Sequence, residues 1–124
     1  MVWVAGGSLS FSHIKGTVEY LVLDEIEKGW NWARDLPKFN TFSQMVVSLD
    51  MRKTWIIGGM VKDGGGAHIQ YPTDEILELV CEGRTPYSCK FEVSKTIKLP
   101  YVRSQFSIWT LTEKFARETC LYKN

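Results

Sequence analysis

No apolar run in this sequence approaches the roughly 20 residues that cross a bilayer, so no membrane insertion is expected. Neither sign of charge dominates. Fifteen basic residues stand against 14 acidic ones, which gives no pull toward nucleic acid or an anionic membrane. Histidine is scarce: His13 and His68 fall in turn segments without clustered carboxylates, read as solvated loop residues, and do not make a metal centre. The opening MVWVAGG has no basic segment and too short an apolar part for a signal peptide, so a secreted form needs a leader already removed or carried by a longer precursor. Long polar runs are missing too, and ten glycines accompany 13% aromatics, which excludes a coiled coil and a disordered chain. At 124 residues the chain is one packed domain or part of one.

What the chain has is strand signal. TVEYLVLD, SQMVVSLD, KTWIIGG, KFEVSKTIKLP and FSIWTLTE are rich in β-branched and aromatic residues. Turn clusters separate them: SLSFSHIKG, DLPKFN, LDMRK, KDGGGAHIQYP and EGRTPYS. TDEILELV has helical propensity through Glu and Leu, but it is short and bounded by Pro72 and Cys81, and it reads as a strand. TEKFARETC is the other helix-like stretch.

An apolar strand ending in a double glycine is written twice. Trp3, Gly6 and Gly7 recur as Trp55, Gly58 and Gly59, 52 residues on. Thr17, Glu19 and Leu23 match Thr73, Glu75 and Leu79 at an offset of 56. Leu36-Pro37 matches Leu99-Pro100 at 63, and Phe42-Ser43 matches Phe106-Ser107 at 64. The offset grows only in turn regions, where insertions cost little.

Cys81 and Cys89 flank the turn EGRTPYS. Spacing leaves two readings, a disulfide across the turn or two unrelated cysteines. The shared turn, and the lack of a nearby His or second Cys pair for zinc, favour the disulfide.

The repeated order of strand, double glycine, strand, turn, strand and Leu-Pro resembles the kelch repeat, the unit of one class of β-propeller, over essentially the whole chain. Gly6-Gly7 and Gly58-Gly59 match its double glycine, Trp30 its tryptophan, Leu36-Pro37 and Leu99-Pro100 its Leu-Pro, and Arg103 its following arginine. The sequence departs from the pattern at Leu23 and Leu79, where tyrosine is usual, at Asn40, where arginine is, and at Phe91, which lies nearest the second Trp position. The resemblance implies an all-β chain of antiparallel blades in which the glycines end inner strands where backbones crowd. It places in 1–41 a blade lacking its inner strand, in 42–105 a complete blade, and in 106–124 the first strands of a third, FSIWTLTE and ETCLY. About two and a quarter blades do not close a ring of roughly six or seven. ELVCEGRTPYSCKF, with Phe91 two residues after Cys89, also resembles the terminal repeat of secreted animal kelch proteins, which implies a Cys81–Cys89 disulfide, Cys120 outside it, and an extracellular home. Unpaired thiols there would point to the cytoplasm instead.

Catalytic chemistry finds no carrier. KDGGGAH has no Gly-Lys-Ser/Thr ending and reads as a flexible loop, not a phosphate cradle. Asp24, Glu25, Glu27 and Lys28 read as a solvated turn. Galactose oxidase belongs to the kelch class, yet its copper ligands have no match here. The expectation is a non-catalytic interaction or structural module, with no cofactor or metal, binding a protein partner or itself through open blade edges. Its exposed loops are expected at 8–16, at 60–72 and in the segments after Leu36-Pro37 and Leu99-Pro100. The rival is a fragment of a galactose-oxidase-like enzyme or glycan-binding propeller whose site lies in absent blades.

Overall fold

A computed structural model describes residues 1–10, 13–62, 69–108 and 112–119. Strand β1 (Val2–Ala5) runs into Gly6-Gly7 and is followed by a small hairpin, β2 (Ser8–Ser10) and β3 (His13–Ile14). β4 (Val18–Leu21) returns antiparallel to β1. A 3-10 helix at Leu23–Lys28, wholly unburied, carries the acidic cluster into solvent, and β5 (Asn31–Trp32) pairs with β4. β6 (Phe39–Thr41) leads out of this three-stranded meander into a second one. There β7 (Gln44–Val47), β8 (Thr54–Ile57), β10 (Tyr71–Cys81) and β11 (Cys89–Arg103) lie antiparallel in chain order, while β9 (Met60–Lys62) bridges β6 to the start of β10. The fold is all-β: 51% of the described residues lie in strands, the sheets are antiparallel and one is strongly curled, an arrangement that fits an incomplete propeller.

Two strand registers define the repeat. Ala5 faces Val18 and Trp3 faces Tyr20, whereas Ile57 faces Ile76 and Trp55 faces Glu78. With Trp3 equivalent to Trp55, Val18 is therefore equivalent to Ile76, 58 residues on and not 56. Tyr20 opposite Asn31 and Glu78 opposite Glu92 make Asn31 equivalent to Glu92, which aligns Trp30 with Phe91. Backbone hydrogen bonds repeat in the same way. Gly6 N donates to Thr17 O at 2.9 Å and Gly58 N to Glu75 O at 3.1 Å. Gly7 N donates to Asn40 O at 2.8 Å and Gly59 N to Arg103 O at 2.6 Å. Lys15 N donates to Gly7 O and Thr73 N to Gly59 O.

The double glycines are close approaches between segments. A Cβ at Gly58 would stand 2.7 Å from Arg103 O and 2.8 Å from the Phe106 ring, on a backbone with φ of 59°. A Cβ at Gly59 would press on Asn40, Thr41 and Ser43, the link between the two meanders. Gly7 has open space around it, and its φ of 96° alone selects glycine there.

The core lies between the meanders. Val18 and Leu36 of the first pack with Ile56, Leu77 and Phe91 of the second; Trp3, Ala5, Ala33, Met45 and Leu79 close around them. Side chains alternate along a strand, so this contact assigns faces. Trp3, Ala5 and Val18 look toward the second meander, and Met45, Ile56, Leu77, Leu79 and Phe91 look back at the first.

Three expectations need correction. FSIWTLTE is not a strand over Phe106–Ile108, and Glu113–Thr119 forms an α-helix, α1, where ETCLY was to begin a second strand. Its residues are good helix formers, and Glu113–Arg117 and Lys114–Glu118 are i,i+4 ion pairs. Residues 109–111 and 120–124, with Cys120 among them, lie outside the described residues. The segments expected as loops contain β2, β3 and β9, because the crowded glycines redirect the chain into short ladders. Finally, β4 ends at Leu21 and does not continue through Asp24.

Candidate interaction surface

The two meanders differ at one edge. β8 is covered by β7, from Val47 opposite Thr54 to Gln44 opposite Ile57. β1, its equivalent, is terminal in its sheet. Gly6 lies opposite Thr17 and donates to it, so hydrogen-bonding groups alternate back from there: those of Val2 and Val4 face β4, and those of Trp3 and Ala5 face the open side. Among the described residues nothing pairs with β1 on that side. An unpaired edge of this kind, without charge or proline, is a template for another strand.

The meanders differ at one face as well. Ile56 is 2% exposed, while its equivalent Val4 is 49% exposed. Phe91 is 2% exposed and Trp30, in the same place on the first meander, 48%. Val2 and Trp32 share that exposed face with Val4. Glu19, opposite both Val4 and Trp32, stands where the second meander buries Leu77. On the opposite side, Trp3 and Tyr20 pack with ring centroids 5.3 Å apart.

Polar groups tie the two meanders together. Asn40 is buried, takes the Gly7 N–H on its carbonyl, and donates from Nδ2 to Gly58 O at 3.2 Å. Its Oδ1 has no partner among the described residues. Lys38 Nζ meets Glu75 Oε1 at 3.2 Å across the same junction. Burial pulls the Lys38 pKa down, but the hydrogen bond and charge of Glu75, with Tyr71 beside it, outweigh that and hold the ammonium above its ordinary value. At the periphery a groove of about 250 Å³ runs between Met1 and Trp3 on one side and Leu79, Pro86 and the cystine on the other.

Cys81 and Cys89 are disulfide-bonded, directly opposite one another in the β10–β11 ladder. Ser88 supports the turn between them: its Oγ accepts from Gly83 N at 3.0 Å and donates to Thr85 O at 2.7 Å. Leu36 is buried in the core, whereas Leu99 is half-buried and Pro37, Pro100 and Arg103 are exposed; Arg103 acts through its backbone carbonyl. Pro100 sits in β11, the outer strand, where a missing N–H costs least. His13 begins β3, and His68 and the glycine triplet 64–66 lie outside the described residues. Asn40, a departure from the repeat pattern, joins both double glycines, and the one sign of this in the sequence is its alignment with Arg103.

Among the described residues no three His, Cys, Asp or Glu side chains gather as metal ligands, and no helix is long and apolar enough to cross a membrane. No protein-family model matches the chain, and no curated protein matches it.

Proposed function

We propose that the chain is a non-catalytic protein-interaction or structural module built of kelch-type repeats, and that its incomplete first blade takes an extended strand from a protein partner. The single observation that carries this reading is the unequal cover of two equivalent strands: β8 has β7 beside it and β1 has an open edge. Strand addition satisfies the outward backbone groups of Trp3 and Ala5 and fixes register through alternate side chains. The repeated double glycines and Leu-Pro sites support the kelch assignment, and the Cys81–Cys89 disulfide supports an extracellular home.

A synthetic peptide of residues 43–48, the stretch that covers β8, tests the edge directly. Titrated into the full chain, it is expected to slow hydrogen exchange at the Trp3 and Ala5 amides and leave Val4, already bonded to β4, unchanged. Equal exchange at all three with and without peptide defeats the reading.

A further inference from the structure

One lateral row of side chains crosses each meander on the same face. In the second it runs through Met45, Ile56, Leu77 and Val93 and is apolar throughout. In the first it starts at Val4, on the open edge strand, and continues through Glu19 to Trp32. Glu19 thus puts a carboxylate where the second meander has Leu77. It is half-buried, and among the described residues no hydrogen bond or ion pair reaches it. Lys28, on the connection to β5, is held by Glu25 at 3.0 Å. Two exposed indoles flank the carboxylate. Trp32 lies directly opposite Glu19, and Trp30, two residues earlier on the same strand path, is its diagonal neighbour. Direct cross-strand neighbours are about 5 Å apart and diagonal ones about 7–8 Å, within reach of a tryptophan.

We infer that the partner strand added at β1 carries a basic side chain, arginine ahead of lysine, at the position facing Val4, and that its cation seats on Glu19 between Trp30 and Trp32. The inference rests on the strand-addition reading above and names the chemistry of the partner. The position is the one Met45 holds against Ile56. Neighbouring strands lie about 4.8 Å apart, so the stem of an arginine there crosses only the short Val4 side chain before its head meets the carboxylate. Charge complementarity selects this occupant. An apolar side chain would cover Glu19 without giving it a partner and would meet the cost of desolvating a carboxylate. An acidic one would repel it. A cation pairs with it and lies against two indoles. Arginine leads because its planar fork bonds both carboxylate oxygens and also stacks on aromatic rings.

The peptide of residues 43–48, blocked at both ends, tests the inference in three forms: unaltered, with Met45→Arg and with Gln44→Arg. Gln44 lies opposite Ile57, the equivalent of Ala5, so arginine there brings the same charge to the other face. Calorimetric titration into the full chain is expected to show the Met45→Arg peptide binding about tenfold tighter than the unaltered one, the scale of a partly screened ion pair joined to a cation–π contact. The Gln44→Arg peptide is expected to gain nothing. Glu19→Gln in the chain is expected to erase the gain, and Trp32→Leu to reduce it about threefold. Neither residue belongs to the core cluster, and circular dichroism checks that both variants fold. No gain from Met45→Arg, an equal gain from both arginines, or a gain that survives Glu19→Gln overturns the inference. Hydrogen exchange at Trp3 and Ala5 in the same samples separates it from the strand-addition reading. Protection by the unaltered peptide with no gain from arginine leaves strand addition standing and removes only the basic partner; no protection by any of the three peptides defeats both.

Discussion

The side-chain amide of Asn40 donates to the carbonyl oxygen of Gly58 at 3.2 Å, and through that bond the end of the first blade grips the double glycine of the second. The same residue's backbone carbonyl accepts from Gly7. One buried asparagine thus couples two glycine turns 52 residues apart, and the blades hold their relative position through it as well as through apolar packing.

Replacing Asn40 tests that coupling. Asn40→Asp puts a carboxylate against the Gly58 carbonyl in a buried site, which favours the protonated acid and raises its folded-state pKa above the unfolded value. The folded state then holds a proton that the unfolded state releases, so stability is intact below the ordinary aspartate value and falls as pH rises above it. Urea unfolding of the variant at pH 4 and pH 7 is expected to show a loss at pH 7 beyond that of the wild type; parallel behaviour of the two proteins removes the coupling.

The glycines divide by cause. Gly7→Ala meets no neighbour and bears only the left-handed backbone, about 1–2 kcal/mol. Gly58→Ala bears that cost and also drives its methyl into Arg103 O and the Phe106 ring, so it is expected to lose roughly 2 kcal/mol more. Denaturant midpoints of the two variants check the order; equal losses would mean that the Arg103 segment yields freely.

The sequence carried the repeat but misplaced part of its register. Trp3 with Trp55 and Leu36 with Leu99 were legible because an aromatic beside a double glycine, and a Leu-Pro pair, are rare enough to align. Thr17, Glu19 and Leu23 were aligned by residue identity, two positions from the equivalence that the ladder sets. A slip of two preserves the face of every side chain, so the pattern of apolar positions could not expose it. The helix at Glu113–Thr119 falls within the helix-like stretch TEKFARETC, where helix-forming residues and i,i+4 charges outweigh the strand at ETCLY that the repeat order implies. Most of the uncovered face is invisible in the sequence because Val2, Val4, Trp30 and Trp32 are apolar like residues of a buried face, and only exposure separates Val4 from Ile56; Glu19 in the place of Leu77 is the one polar sign.

The Cys81–Cys89 bond closes a short loop, and opening it is expected to cost about 2–3 kcal/mol on the chain-entropy estimate. Thermal unfolding with and without reductant measures the loss. Alkylation of the non-reduced, denatured chain should modify one of its three cysteines and leave the 81–89 link intact in a digest. Three modified thiols would dissolve the argument for an oxidising compartment.

The Lys38–Glu75 pair gives a last, pH-resolved prediction. Both side chains are about one third exposed, so solvent screens the pair and its contribution is on the order of 1 kcal/mol. The folded-state pKa of Lys38 is raised, so this contribution is fully present below the ordinary lysine value of 10.5 and is lost as pH rises through the folded-state value. Lys38→Met keeps much of the aliphatic stem and removes the charge. Its deficit against the wild type is therefore expected to be constant from neutral pH to about pH 9 and to shrink above pH 10.5. A deficit that persists unchanged at high pH would mean that the Lys38 stem, and not its ammonium, holds this part of the blade junction together.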